Sequence, residues 1–174
     1  FYAINDKPGD IAHEIIPESE NLIYVAEEMA RLQKEGRTDA IIGYMPDCDG
    51  DRGNIIYWDE AQQKALILEA QEVFALSVIA ELSYLHYSGN TGTPLAVTVN
   101  GPTSLRINEI AKALDAEVFY AEVGEANVVN RAEDARQYGY RVRILGEGSN
   151  GGNITHPAAV RDPINTLFAL IKLL

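Results

Sequence analysis

The sequence predicts an α/β protein built as two consecutive mixed α/β sheet domains, and three observations carry that expectation. Short apolar runs alternate with longer stretches of helical periodicity along most of the chain, the pattern of strands interleaved with helices. A run of small, turn-forming residues at 88–94, Ser-Gly-Asn-Thr-Gly-Thr-Pro, interrupts that alternation once near the middle, as linkers do. Two polar loops, one acidic and one glycine-rich, each follow a predicted strand, and the carboxyl ends of strands are where open α/β sheets place their ligands.

Taken in order, residues 1–17 show little periodicity; Pro8-Gly9-Asp10 reads as a turn and Pro17 precedes a helix. That helix runs from Glu18 to about Glu35, with Leu22, Val25, Met29 and Leu32 on one face and Gly36 at the stop. Residues 39–46 form a short buried strand, and residues 54–58 and 65–68 form two more around the polar turn 59–64. A helix over 69–87 presents Phe74, Val78, Leu82 and Leu85 on one face. With the linker as boundary, the first domain covers 1–90 and the second 91–174. The second opens with a strand at 95–99, and Thr103 or Ser104 caps a helix to Leu114. A strand over 117–123, a helix from about Gly124 to Tyr138 and a strand at 140–145 follow. Residues 146–152 are a flexible loop, and Asp162-Pro163 supplies the N-cap and first position of the last helix.

Composition narrows the function classes. The 174 residues are 47% hydrophobic, enough for a core, and 14 Lys+Arg stand against 26 Asp+Glu for a net charge of -12. A surface of that sign repels nucleic-acid phosphates and anionic membranes, so neither is an expected partner. Cys48 is the single cysteine, which excludes an internal disulfide and a cysteine-based zinc site and fits a cytoplasmic protein. No apolar run reaches the roughly 18–20 residues of a membrane-spanning helix. The chain opens at Phe1 without a methionine and closes on an apolar helix lacking a stop signal, so an excised piece of a longer protein is expected.

The strongest chemical signal is Asp47-Cys48-Asp49-Gly50-Asp51-Arg52. Carboxylates at alternate positions of a tight loop repel one another, and the repulsion is relieved by proton uptake or by a hard divalent cation that takes their oxygens. An EF-hand is excluded, because its sixth position needs Gly and its twelfth Glu, where this chain has Arg52 and Trp58. A strand-end Asp-x-Asp with Asp47 as phosphatase nucleophile is compatible with the spacing, although the third Asp and the Arg do not belong to that pattern. A solvated acidic turn is the bland alternative. In the second loop, Glu147 and Ser149 offer an acceptor and a donor/acceptor to sugar hydroxyls. The loop has neither the Walker ending nor the dinucleotide glycine order, and a surface turn is the simpler reading of it alone. His13, His86 and His156 lack metal-ligand spacing, and an acidic setting raises the Cys48 thiol pKa, against a nucleophilic role.

The two loops together, in this order and separated by an α/β unit, resemble the α-D-phosphohexomutases. Asp47 to Arg52 is similar to that family's Asp-x-Asp-Gly-Asp-Arg metal loop, and Gly146-Glu147-Gly148-Ser149 to its Gly-Glu-x-Ser-Gly sugar loop. The resemblance covers most of the chain and implies the later part of the family's second domain, within 1–90, followed by its third, 91–174. It implies Mg²⁺ on Asp47, Asp49 and Asp51, a catalytic contact from Arg52 to the phosphoryl oxygens, and Glu147 and Ser149 as substrate-binding residues. The implied partners are a hexose phosphate, glucose or mannose 1- or 6-phosphate, and the missing domains of a parent chain, which carry the active phosphoserine and a phosphate-gripping loop. The chain departs from the pattern at Asn150, at Pro163 and at Glu125-Ala126-Asn127, where a basic residue is expected after Val123-Gly124. A non-catalytic phosphohexomutase-like binding module is the alternative, and the missing basic residue favours it.

Overall fold

The structure is a computed structural model, which describes every residue except 5, 8, 10–21, 48 and 149–151. The expectations for His13, Pro17, the first helical residues from Glu18, Cys48, Ser149 and Asn150 lie outside the described residues. The chain divides into two compact units, one of residues 1–50 and 54–68, the other of residues 51–53 and 69–174.

In the first unit, helix α1 (Ile23–Lys34) covers strands β1 (Ile42–Pro46), β2 (Gly53–Asp59) and β3 (Lys64–Ile67), paired in the order β1-β2-β3. The predicted apolar stripe makes the contact: Leu22 and Met29 pack with Met45 and Ile56, and Val25, Trp58 and Ala65 close around them. Helix and sheet approach closely at Gly43, where a Cβ would stand 2.4 Å from Val25 Cγ1 and 2.8 Å from Met29 Sδ. The β2–β3 hairpin is antiparallel, with Trp58 opposite Ala65 and Asp59 opposite Lys64.

In the second unit, helix α2 (Ala70–Tyr87) precedes strand β4 (Leu95–Asn100), helix α3 (Arg106–Ala113), strand β5 (Ala116–Ala121), helix α4 (Glu125–Gln137) and strand β6 (Arg141–Glu147). Strand β7 (Gly152–Thr155) and helix α5 (Pro163–Ile171) complete it. The sheet runs β5-β4-β6-β7, with β4 parallel to both β5 and β6 and β7 antiparallel to β6. Every residue of β4 is buried, as a central strand covered on both faces requires. Leu95, Val97 and Val99 face α2 and α3 through Phe74, Val78, Leu82 and Ile107. Ala96 faces α4 through Val128, Ala132 and Ala135. The chain leaves β4 to one side for β5 and returns to its other side for β6, so the carboxyl end of β4 is a topological switch point.

Three expectations change. Helix α2, assigned above to the first domain, packs with the strands beyond the 88–94 run, because its Phe74–Leu85 stripe finds its apolar partners on β4 and α3; the compact units therefore part at 68/69 rather than near 90. Of the two caps expected for helix α3, Thr103 is not one, since its hydroxyl bonds Asn100 instead; Ser104 Oγ accepts from Arg106 N at 3.3 Å, at the first residue of the helix. Residues 146–152, expected to be a loop, belong partly to a hairpin in which Gly146 pairs with Asn153 and Glu147 with Gly152. The last helix starts as expected: Asp162 accepts hydrogen bonds from Ile164 N at 3.0 Å and Asn165 N at 3.2 Å, with Pro163 following. No helix among the described residues is long and apolar enough to cross a membrane.

Candidate functional site

The acidic loop begins where β1 ends. The Gly50 N–H donates to the Asp47 carbonyl at 3.2 Å, and Gly50 takes φ +73°, a left-handed turn that L side chains rarely adopt. That turn folds the loop back so that Asp47, Asp49 and Asp51 each bring a carboxylate oxygen within 4.8 Å of the others. Two oxygens on one Mg²⁺ stand roughly 3 to 4 Å apart, so small side-chain rotations suffice to bring these donors onto one ion. Three carboxylate oxygens are also the ligand type that Mg²⁺ takes. The donor set fits a hard divalent cation. Asp47 is 8% exposed, while Asp49 faces solvent.

Two guanidinium groups attend this loop. Arg52 Nε lies 3.4 Å from Asp51 Oδ1, with the Arg52 side chain about half exposed. Arg161, just before α5, pairs through Nη2 with Asp51 Oδ2 and through Nε, at 2.7 Å, with Glu125 Oε2 at the start of α4. Glu125 stands where a basic residue was expected, and Arg161 offsets its charge. The segment before Asp162-Pro163 carried no signal that would have singled out Arg161.

Glu147 closes β6 and is 8% exposed. Its Oε1 accepts from Asn100 Nδ2 at 2.9 Å and from the Gly124 backbone N–H at 2.7 Å. Gly124 is the N-cap of α4 with φ +125°, so the donor comes from a helix amino end, where negative charge is favoured. Thr103 Oγ1 donates to Asn100 Oδ1 at 2.6 Å and accepts from Gly148 N at 3.1 Å. Glu147 thus stands at the switch point, beside the carboxyl end of β4, and shares a small pocket with Glu125, Gly146 and Arg161. Asn100 and Thr103 were missed from sequence. The Asn-Gly-Pro-Thr turn after a buried strand was the available sign. A separate depression of about 750 Å³, lined by Asn108, Lys112, Asp115 and Tyr140 among others, opens at the amino ends of β4 and β5, away from these residues.

No protein-family model matches the chain, and no curated protein sequence matches it. Solved structures do. A phosphoglucomutase/phosphomannomutase family protein of Burkholderia thailandensis superposes with a TM-score of 0.64 at 18% identity, over 90% of this chain and 30% of that one. Parafusin, a phosphoglucomutase from Paramecium in its open form, gives 0.61 at 18% identity, over 92% of this chain and 25% of that one. A Thermus thermophilus protein assigned as a phosphomannomutase gives 0.56 at 19% identity, over 91% and 31%. At such identities the likeness is one of fold, and this chain spans less than a third of each of these neighbours. Over about nine-tenths of its length, the chain has the fold found within the phosphoglucomutase/phosphomannomutase structures.

Proposed function

We propose that this chain is part of a phosphosugar mutase, an isomerase that moves a phosphoryl group between C1 and C6 of glucose or mannose phosphate through a phosphoserine and a bisphosphate intermediate. The observation that carries the reading is the gathering of Asp47, Asp49 and Asp51 within 4.8 Å, in a chain with this fold. The phosphoserine and the phosphate-gripping loop belong to other domains of the parent protein. In the forward half-reaction a sugar hydroxyl oxygen attacks phosphorus and gives up its proton, while the serine P–O bond breaks and the serine oxygen takes up a proton as it leaves. The bisphosphate then turns over and returns its other phosphoryl group to the serine.

Asp47, Asp49 and Asp51 hold Mg²⁺ in this scheme, which when bound neutralises charge on the phosphoryl group in transfer. Arg52, half exposed and next to Asp51, contacts the phosphoryl oxygens with its planar fork. Glu147 accepts from the sugar 3- and 4-hydroxyls, and Ser149 completes the grip. Those hydroxyls keep their place when C1 and C6 exchange, so one grip serves both orientations. The protein acts in the cytoplasm. Phosphorus NMR of the full-length protein with glucose 1-phosphate is the test: a 6-phosphate signal should grow as the 1-phosphate signal falls. Glu147→Ala should slow that exchange by about tenfold or more, the usual cost of losing a hydrogen bond to a charged group, while Mn²⁺ binding persists. No exchange with glucose or mannose 1-phosphate contradicts the reading, and loss of Mn²⁺ binding in the variant contradicts the assignment of Glu147.

A further inference from the structure

The scheme above gives no task to Asn100, a buried polar residue at the switch point. Asn100 is 1% exposed at the carboxyl end of β4, and its carboxamide is committed on both sides. Oδ1 accepts the Thr103 hydroxyl proton at 2.6 Å, and Nδ2 donates to Glu147 Oε1 at 2.9 Å. The orientation of the amide follows from its neighbours. The Gly148 N–H can only donate, and it occupies Thr103 Oγ1 as acceptor at 3.1 Å. The Glu147 carboxylate can only accept, which turns the amide nitrogen towards it and leaves Asn100 Oδ1 to take the single hydroxyl proton of Thr103.

These bonds close a ring from Glu147 to Gly148, Thr103, Asn100 and back to Glu147. The backbone is held as firmly as the side chain: a Cβ on Gly148 would stand 2.6 Å from Gln71 Oε1, 3.0 Å from Thr103 Cγ2 and 3.2 Å from Phe74 Cδ1. Gln71 is itself fixed, accepting from Ser104 N at 2.9 Å and donating to the Pro102 carbonyl at 3.2 Å. With the Gly124 N–H as second donor at 2.7 Å, Glu147 is set by two elements besides its own strand. A carboxylate already held in one rotamer has less freedom to lose when it grips a hydroxyl, and its affinity rises accordingly.

We infer that Asn100 is the positioning residue of the sugar grip, acting through Glu147, so that affinity for the hexose phosphate depends on it more than turnover does. The inference rests on the phosphosugar reading. Its test is a double-mutant cycle in the full-length protein, with Asn100→Leu, Glu147→Ala and the double variant compared for KM and kcat on glucose 1-phosphate and mannose 1-phosphate. Asn100→Leu should raise KM about tenfold or more, the loss expected for a hydrogen bond to a charged group, with kcat within about threefold of wild type. In the Glu147→Ala background the same change should move KM by less than about twofold, because the residue through which Asn100 acts is gone.

An equal loss in both backgrounds overturns the inference, since Asn100 then supports the protein in general. A wild-type KM in Asn100→Leu overturns it as well. If circular dichroism shows that Asn100→Leu does not fold, Asn100→Ser replaces it, with a hydroxyl too short to span to Glu147, and the same outcomes decide. A wild-type protein that turns over neither sugar phosphate removes the parent reading, and this inference with it, before any variant is compared.

Discussion

Three residues are placed where a single change has a predictable cost. Gly148 has Gln71, Thr103 and Phe74 where a methyl would go. Gly148→Ala should therefore destabilise the second unit by about 1–3 kcal/mol in urea unfolding, the usual penalty for overpacking. Glu81 is 1% exposed inside α2, where Arg143 Nε donates to it at 3.0 Å and the Lys172 ammonium pairs with its other oxygen. Both cations are about a third exposed, so water takes over part of what they lose. Glu81→Ala should cost about 2–4 kcal/mol, somewhat below the full range for breaking a buried pair. His156 lies at the surface, and it titrates below its ordinary value of 6.5, first through partial loss of hydration and then through the charges of Arg136 and Arg143. The unfolded chain then binds the proton more readily than the folded one. The contribution of His156 is present above pH 6.5 and lost as pH falls through the lower folded value. Urea midpoints measured from pH 7.5 down to 5 should fall less steeply in His156→Gln, and an unchanged slope would remove His156 as a source of the pH dependence.

The elements differ in how legible they were, for physical reasons. Helix α1 and the hairpin of β2 and β3 follow from local periodicity, since an apolar stripe or an alternating run is written into consecutive residues. The start of α5 was equally plain, because a cap acts within its own turn. Asp162→Ala removes the acceptor for Ile164 N and Asn165 N and should cost about 1 kcal/mol in thermal or urea unfolding. Strand β7 was missed because its four residues begin with glycine and its register comes from β6, not from its own pattern. The partner of α2 was not visible either. The Phe74, Val78, Leu82 and Leu85 stripe announces a buried face without saying which strand it meets, and the run of small residues after it resembled a domain boundary. The Asp47–Asp51 gathering depends on residues two apart around Gly50, and so it was legible. The Asn100–Glu147 contact joins positions 47 residues apart; only the fold brings them together.

At the scale of the molecule, the two loops singled out from sequence both follow strands. The acidic loop follows β1, and Glu147 ends β6 beside the switch point of the second sheet. The fold likeness to phosphoglucomutase and phosphomannomutase structures covers about 90% of the chain but less than a third of those proteins. The roles of Arg52, Ser149 and the parent's other domains therefore belong to the proposal. The phosphosugar reading stands on one claim above the others, that the loop from Asp47 to Asp51 is a divalent-cation centre. Its most direct test is Mn²⁺ binding to the protein by electron spin resonance, with Asp49→Asn beside the wild type. The account predicts saturable binding by the wild type, weakened by about tenfold or more when the negative charge of one ligand is removed. Equal binding by both proteins would show that the ion sits elsewhere, and the loop would no longer support a phosphosugar mutase.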